Sequence, residues 1–131
     1  MRLPYGPILT VAQTMTCHHE LTEQSIQMGE GFGYETSESR PAGEDELVFL
    51  RSFVPLTSDE QGEYLYADTR PGQWNGSIGT FDWESGTASR LWRSISALLT
   101  DIADSLEHNL ALQTHYHPTI DQDGNLRWAS N

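Results

Sequence analysis

The sequence predicts a single α+β domain over residues 1–131, a mainly antiparallel sheet with helices packed on it. Three observations carry this prediction. Central segments alternate apolar and polar residues and are joined by turn-forming residues. Two other segments repeat apolar residues at helical spacing. The length suits one domain with one modest core, and four Trp, five Tyr and four Phe supply large buried areas to fill it.

Residues 1–9 read as an extended lead-in. Thr10 is a good N-cap, and Gln13 three residues later completes a capping box. Val11, Met15, His18 and Ile26 then fall on one helical stripe, with Leu21 and Met28 on its flank and Thr22 as a polar interruption. Gly29 and Gly31 end the helix. Residues 30–46 are polar with Pro and Gly punctuation, and read as a loop.

Leu47–Leu50 and Phe53–Leu56 are strand-like, and Pro55 argues for an edge position or a strand end. Ser58–Gly62 forms a turn. Glu63–Asp68 alternates, which places Tyr64, Tyr66 and Asp68 on one face. Thr69–Gly76 turns the chain again, and Ser77–Trp83 is the next strand. Ser85–Ser89 reads as a loop. Ser94 then caps a helix whose apolar stripe is Ile95, Leu98, Leu99, Ile102 and Leu106. The tail reads as a small hairpin around Asp123-Gly124.

The charge balance is lopsided: seven cations, all Arg, face nineteen acids, for a formal net charge of −12. Such a surface repels nucleic acid phosphates and anionic lipid heads. It favours cationic partners, or serves solubility alone. The start of the chain has no apolar signal-peptide core, and no run approaches the roughly 20 apolar residues that span a bilayer. The single cysteine, Cys17, cannot form an intrachain disulfide. These features point to a cytoplasmic protein, with no nucleic acid or membrane among its partners.

Sequence motifs for chemistry are sparse. His115-x-His117 could chelate from one strand face, but no second pair at defined spacing joins it, and zinc needs about four ligands. Asp121-x-Asp123-Gly124-Asn125 has the start of a calcium loop without the closing Glu. No phosphate-binding glycine loop, serine elbow or zincin motif is present. We therefore expect no catalytic residue, no metal and no cofactor. A small hydrolase-like enzyme using Asp, Glu or His is the competing class, and a regulatory scaffold a third.

The most specific stretch runs from Pro55 to Gly72. Preceded by Val54, it holds Pro55-Leu56, an acidic turn, Tyr64-Leu65-Tyr66 and Asp68-Thr69-Arg70-Pro71-Gly72, with Gly76 beyond. This pattern resembles the central sheet of the SUKH superfamily, the group of cell-wall assembly regulators and toxin-immunity proteins. Leu91–Leu99 is similar to the aromatic residue and final helix of that family, and the hairpin through Leu126 and Trp128 also fits. Arg93 stands where the family often has proline, and Asn75 where histidine is expected. The resemblance implies an α+β domain without the family's usual N-terminal segment. An apolar strip on the sheet or on the helix at 10–28 would then lie uncovered, or be covered in a homo-oligomer.

The resemblance further implies an immunity-type protein that neutralises a toxin, nucleases among them, by direct contact. The acidity makes a cationic toxin the expected partner. Asp59, Glu60 and Glu63 on the acidic turn, with Asp68, Arg70 and Trp74 beyond, are the expected partner-binding residues. Asp68 and Arg70 also have a structural alternative, an ion pair that fixes the turn. Trp74 is the candidate exposed anchor, since Trp and Arg are favoured at binding hot spots.

Overall fold

The first helix is capped as its sequence requires. Gln13 N–H donates to Thr10 Oγ1 (3.2 Å), and Thr10 N–H donates to Gln13 Oε1 (2.9 Å). The computed structural model describes residues 2–29, 33–59, 61–113 and 115–130. In chain order the elements are β1 (Arg2–Leu3), β2 (Gly6–Pro7), α1 (Val11–Gly29), α2 (Tyr34–Ser39), β3 (Phe53–Pro55) and β4 (Glu63–Asp68). They continue with β5 (Ile78–Asp82), β6 (Gly86–Trp92), α3 (Ile95–His108), β7 (Tyr116–Ile120) and β8 (Leu126–Ser130). The α+β class holds: β3-β4-β5-β6 form an antiparallel meander, flanked by the two-stranded pairs β1-β2 and β7-β8. No described helix is long and apolar enough to cross a membrane.

Strand alternation sorts the meander into two cores. Leu65, Ala67 and Ile78 face one way and pack with Trp92, Leu98, Ile102, Leu3, Tyr5 and Leu112. Tyr66 and Phe81 face the other way, with Phe53, Phe49, Leu50, Leu21 and Tyr34. That second core is an aromatic cluster: Phe53 stacks on Tyr66 at 4.3 Å between ring centres, and Phe49 meets Phe81 edge-on at 5.4 Å.

Several expectations need correction. The 30–46 segment is not a solvated loop: residues 34–39 form α2, and Ala42, Gly43 and Glu46 are buried. Residues 30–32 lie outside the described residues. Of 47–56 only Phe53–Pro55 pairs as a strand, while Val48, Phe49 and Leu50 fill the aromatic core from irregular backbone. The expected loop at 85–89 is the start of β6, entered through Gly86 with φ +77°. A Cβ there would lie 2.4 Å from Glu46 O, so glycine lets the two segments close.

The helical stripes also shift. In α1 the buried residues are Leu21, Thr22, Ser25 and Gly29, not the predicted stripe. Small polar residues serve because their hydroxyls are satisfied: Thr22 bonds back to His18 O (2.8 Å), and Ser25 Oγ accepts Phe49 N–H (2.8 Å). Val11 and Met15 instead stand 80% and 69% exposed. The Ser94 cap is as expected, accepting Ala97 N–H at 3.0 Å. The helix it starts, α3, buries Leu98, Ile102 and Ser105, whereas Leu99 is 56% exposed and Ile95 and Leu106 are exposed too. Ile8, Leu9, Leu56, Ile95 and Leu99 line an open groove of about 170 Å³ between the lead-in and α3. Apolar surface therefore lies uncovered on the lead-in and on α3.

Candidate functional site

The β3–β4 connection is built on Asp59. Its Oδ1 accepts the N–H groups of Gln61 and Glu63, both at 2.9 Å, an Asx-type turn. Gly62 completes it with φ +85°. This delivers Glu63 to the start of β4, where it pairs in register with Asp82 of β5. The next hairpin, at 82–86, closes at the same end, with Asp82 Oδ1 accepting Ser85 N–H (2.6 Å). The two turns thus bring Glu63, Asp82 and Glu84 around one open cleft of about 370 Å³, walled by Trp83.

Trp83 is braced edge-on against Phe81 (5.1 Å), and Phe81 leans on Tyr64 (6.4 Å). On the other side of this aromatic wall lies a second cleft of about 420 Å³, lined by Tyr64, Ser58, Gln13, Cys17, Glu20 and Gln24 among others. Burial raises the proton affinity of the Glu63 carboxyl, and the charges of Asp59 and Asp82 raise it further. In the second cleft, burial and the nearby Glu20 push the Cys17 thiol up to about 11. That thiol stays protonated at neutral pH and is not an activated nucleophile.

Crowded carboxylates beside an indole suit a guanidinium or ammonium group, which gains ion pairs and a cation–π contact together. Among the described residues no histidine lines either cleft. His18 instead bonds Arg51 O at 2.9 Å, and no cluster of three or more metal-ligating side chains occurs among the described residues.

The predicted partner-binding residues do not form one surface. Asp59 and Glu63 sit at the acidic end, and Glu60 lies outside the described residues. Asp68 closes the other end of β4, about 17 Å from Glu63 at the usual rise per residue, and Arg70 and Trp74 follow in the turn beyond it. Asp68 and Arg70 are interior rather than partner-facing. The Arg70 side chain is 0% exposed. It donates through Nε and Nη2 to Asp68 (3.1 and 2.8 Å), through Nη1 to Glu46 (2.8 Å) and Ser37 O (3.2 Å), and through Nη2 to Glu44 O (2.8 Å). All five donors of the guanidinium are used. Burial disfavours its charge, but the bonds and charges of Asp68 and Glu46 outweigh that and hold it ionised. The cluster pins the 37–46 segment against the sheet.

Trp74 is half-buried, and its ring lies 5.2 Å from Arg90 and 4.4 Å from Arg93, measured to the guanidinium carbons. Sequence reasoning missed Asp82, Trp83 and Glu84, although they stand consecutively. Reading 85–89 as a loop hid the hairpin whose tip would have singled them out. Comparison with family models, curated proteins and solved structures returns no match.

Proposed function

We propose that this protein is a SUKH-like, immunity-type binding protein of the cytoplasm. It neutralises a cationic toxin by seating a basic side chain against the acidic aromatic end of its sheet. The observation that carries this reading is the convergence of Glu63, Asp82 and Glu84 on one cleft walled by Trp83. Asp59 and Glu20 extend the same negative field, and the net charge of −12 strengthens it. Complementary charge of this kind speeds encounter, while a desolvated aromatic contact prolongs the complex.

The test uses immobilised wild-type protein and a Glu63→Gln/Asp82→Asn/Glu84→Gln variant against a lysate of the native host. Captured proteins are identified and then remeasured in purified form. The expected result is a basic protein whose association with wild type slows steeply with salt, and whose association with the variant is slow at all salt concentrations. Equal association rates for both proteins from low to high salt would overturn the reading. A competing hydrolase reading draws on the raised proton affinity of Glu63 beside Asp82. It requires turnover of a small substrate that the same variant abolishes.

A further inference from the structure

Four of the seven arginines are neutralised by carboxylates: Arg40 and Arg70 by Glu46 and Asp68, Arg51 by Glu35 and Glu38, and Arg127 by Asp121. Arg90 and Arg93 make no ion pair among the described residues, and both stand over the one ring of Trp74. In a chain with nineteen acids, two unpaired cations on one half-exposed indole form a local positive pole, bordered by the exposed acids Glu44 and Asp45 of the segment that Arg90 contacts.

The backbone is shaped to make this pole. Between the register pairs Thr80–Ala88 and Ile78–Trp92, β6 carries two more residues than β5. Within that irregularity Arg90 takes φ +61°, a left-handed conformation inside a strand. Such geometry is disfavoured for a side-chain-bearing residue, and irregular strand residues of this kind re-aim a side chain. Here the re-aimed Arg90 donates through Nε to Gly43 O (2.8 Å) and keeps its two terminal nitrogens. Gly43 allows the close approach: a Cβ on it would lie 2.8 Å from both Arg90 Nε and Trp74 Cβ. Asp45, in the adjoining segment, accepts Ser89 N–H (3.1 Å).

We propose that Trp74, Arg90 and Arg93 form a second docking site, for a carboxylate-bearing protein segment. A guanidinium offers two parallel donors that match a carboxylate, and the indole supplies an apolar shelf for the segment's stem. A nucleic acid fits less well. Its phosphates need cations spread along a track, whereas these two lie on a single ring and the surrounding net charge repels a polyanion. The acids at the far end of the sheet lie more than a Debye length away, about 8 Å at physiological salt, and do not cancel the local field.

The chain contains its own reporters. Trp92 and Trp128 donate their indole N–H groups internally, to Asp101 (2.8 Å) and Arg2 O (3.0 Å), and so report the fold. Trp74 reports this site, and Trp83 the acidic one. Indole N–H resonances are followed by NMR while a capped tetraglutamate peptide is added to the full chain. The expected result is a saturable shift of Trp74 alone, absent with capped tetraglutamine and lost in Arg90→Gly/Arg93→Gln with Trp92 and Trp128 unmoved. Gly43→Ala, which keeps every charge but displaces Arg90 and Trp74, weakens the response several-fold. An unmoved Trp74, or an equal shift with tetraglutamine, overturns the proposal. Tighter saturation by oligothymidylate overturns it in favour of a phosphate polymer. Titrating the same sample with capped tetra-arginine reads Trp83, so failure at one end is distinguishable from failure at the other.

Discussion

Replacing Arg70 by Met removes the cation from a closed cluster while keeping an unbranched side chain of comparable length. Asp68 then retains the N–H groups of Gly43 (2.9 Å) and Arg70 (3.1 Å), and Glu46 retains Arg40 (2.7 Å). Neither set supplies what the guanidinium did, because Arg40 is itself half-exposed and amide dipoles carry no net charge. Breaking a buried pair from one side costs about 3–5 kcal/mol. Total stability for a domain of this kind is roughly 5–15 kcal/mol, so the loss is a large fraction. With an m-value of about 2 kcal/mol/M, the urea midpoint should fall by about 2 M. The assay is urea unfolding followed by far-UV circular dichroism and tryptophan fluorescence together. Arg70→Lys should fall between wild type and Met, since three rotating donors cannot replace a five-donor fork. Adding Asp68→Asn and Glu46→Gln to Arg70→Met should recover part of the loss, since neutral amides need no cation. An Arg70→Met protein within about 1 kcal/mol of wild type, with the same m-value, would refute the claim that this cluster secures the 37–46 segment.

The exposure difference on α3 predicts that Leu98→Ala and Ile102→Ala each destabilise by about 2–5 kcal/mol, while Leu99→Ala stays within about 0.5 kcal/mol, all by urea unfolding. Glu63 binds its proton more tightly folded than unfolded, so its contribution to stability is present at acid pH and is lost as pH rises above 4.5 through its folded value. Glu63→Gln should therefore match wild type at acid pH and exceed it at neutral pH in thermal unfolding. A cationic ligand at the same cleft should displace that proton, so its affinity rises over the same window, as calorimetry in buffers of different ionisation heat would read. Finally, the thiol pushed up to about 11 predicts that Cys17 reacts with iodoacetamide at neutral pH far more slowly than a free cysteine, and no faster in the presence of the cationic ligand.

Those parts of the fold set by local chemistry were legible in the sequence. The Thr10–Gln13 box, the Ser94 cap, the alternation of Glu63–Asp68 and the Asp123-Gly124 turn all depend on residues within a few positions of one another. What was not legible depends on distant partners. Ser25 lies off the predicted apolar stripe and is buried because Phe49 brings it an N–H, and Val48–Leu50 reads as a strand until the aromatic core claims its side chains without a ladder. The candidate site divides in the same way. Asp59 and Glu63 were found because one acidic turn holds both. Asp82, Trp83 and Glu84 needed the β5–β6 register, and the removal of Asp68 and Arg70 to the interior needed Glu46, which lies in a segment read as solvated.

Both borders of the meander are finished by neighbouring segments. Along β3 the carbonyls of Arg51, Pro55 and Leu56 are taken by His18, Thr14 and Leu9. Along β6, Thr87 N–H donates to Glu46 O, Ser89 N–H to Asp45, and Leu91 O accepts from Gln113. A sheet so hemmed offers little main-chain template to an incoming extended peptide or to another copy's rim. On the proposed binding role, partner choice falls to side chains at its two poles, where single substitutions retune it while the backbone lattice stays as it is.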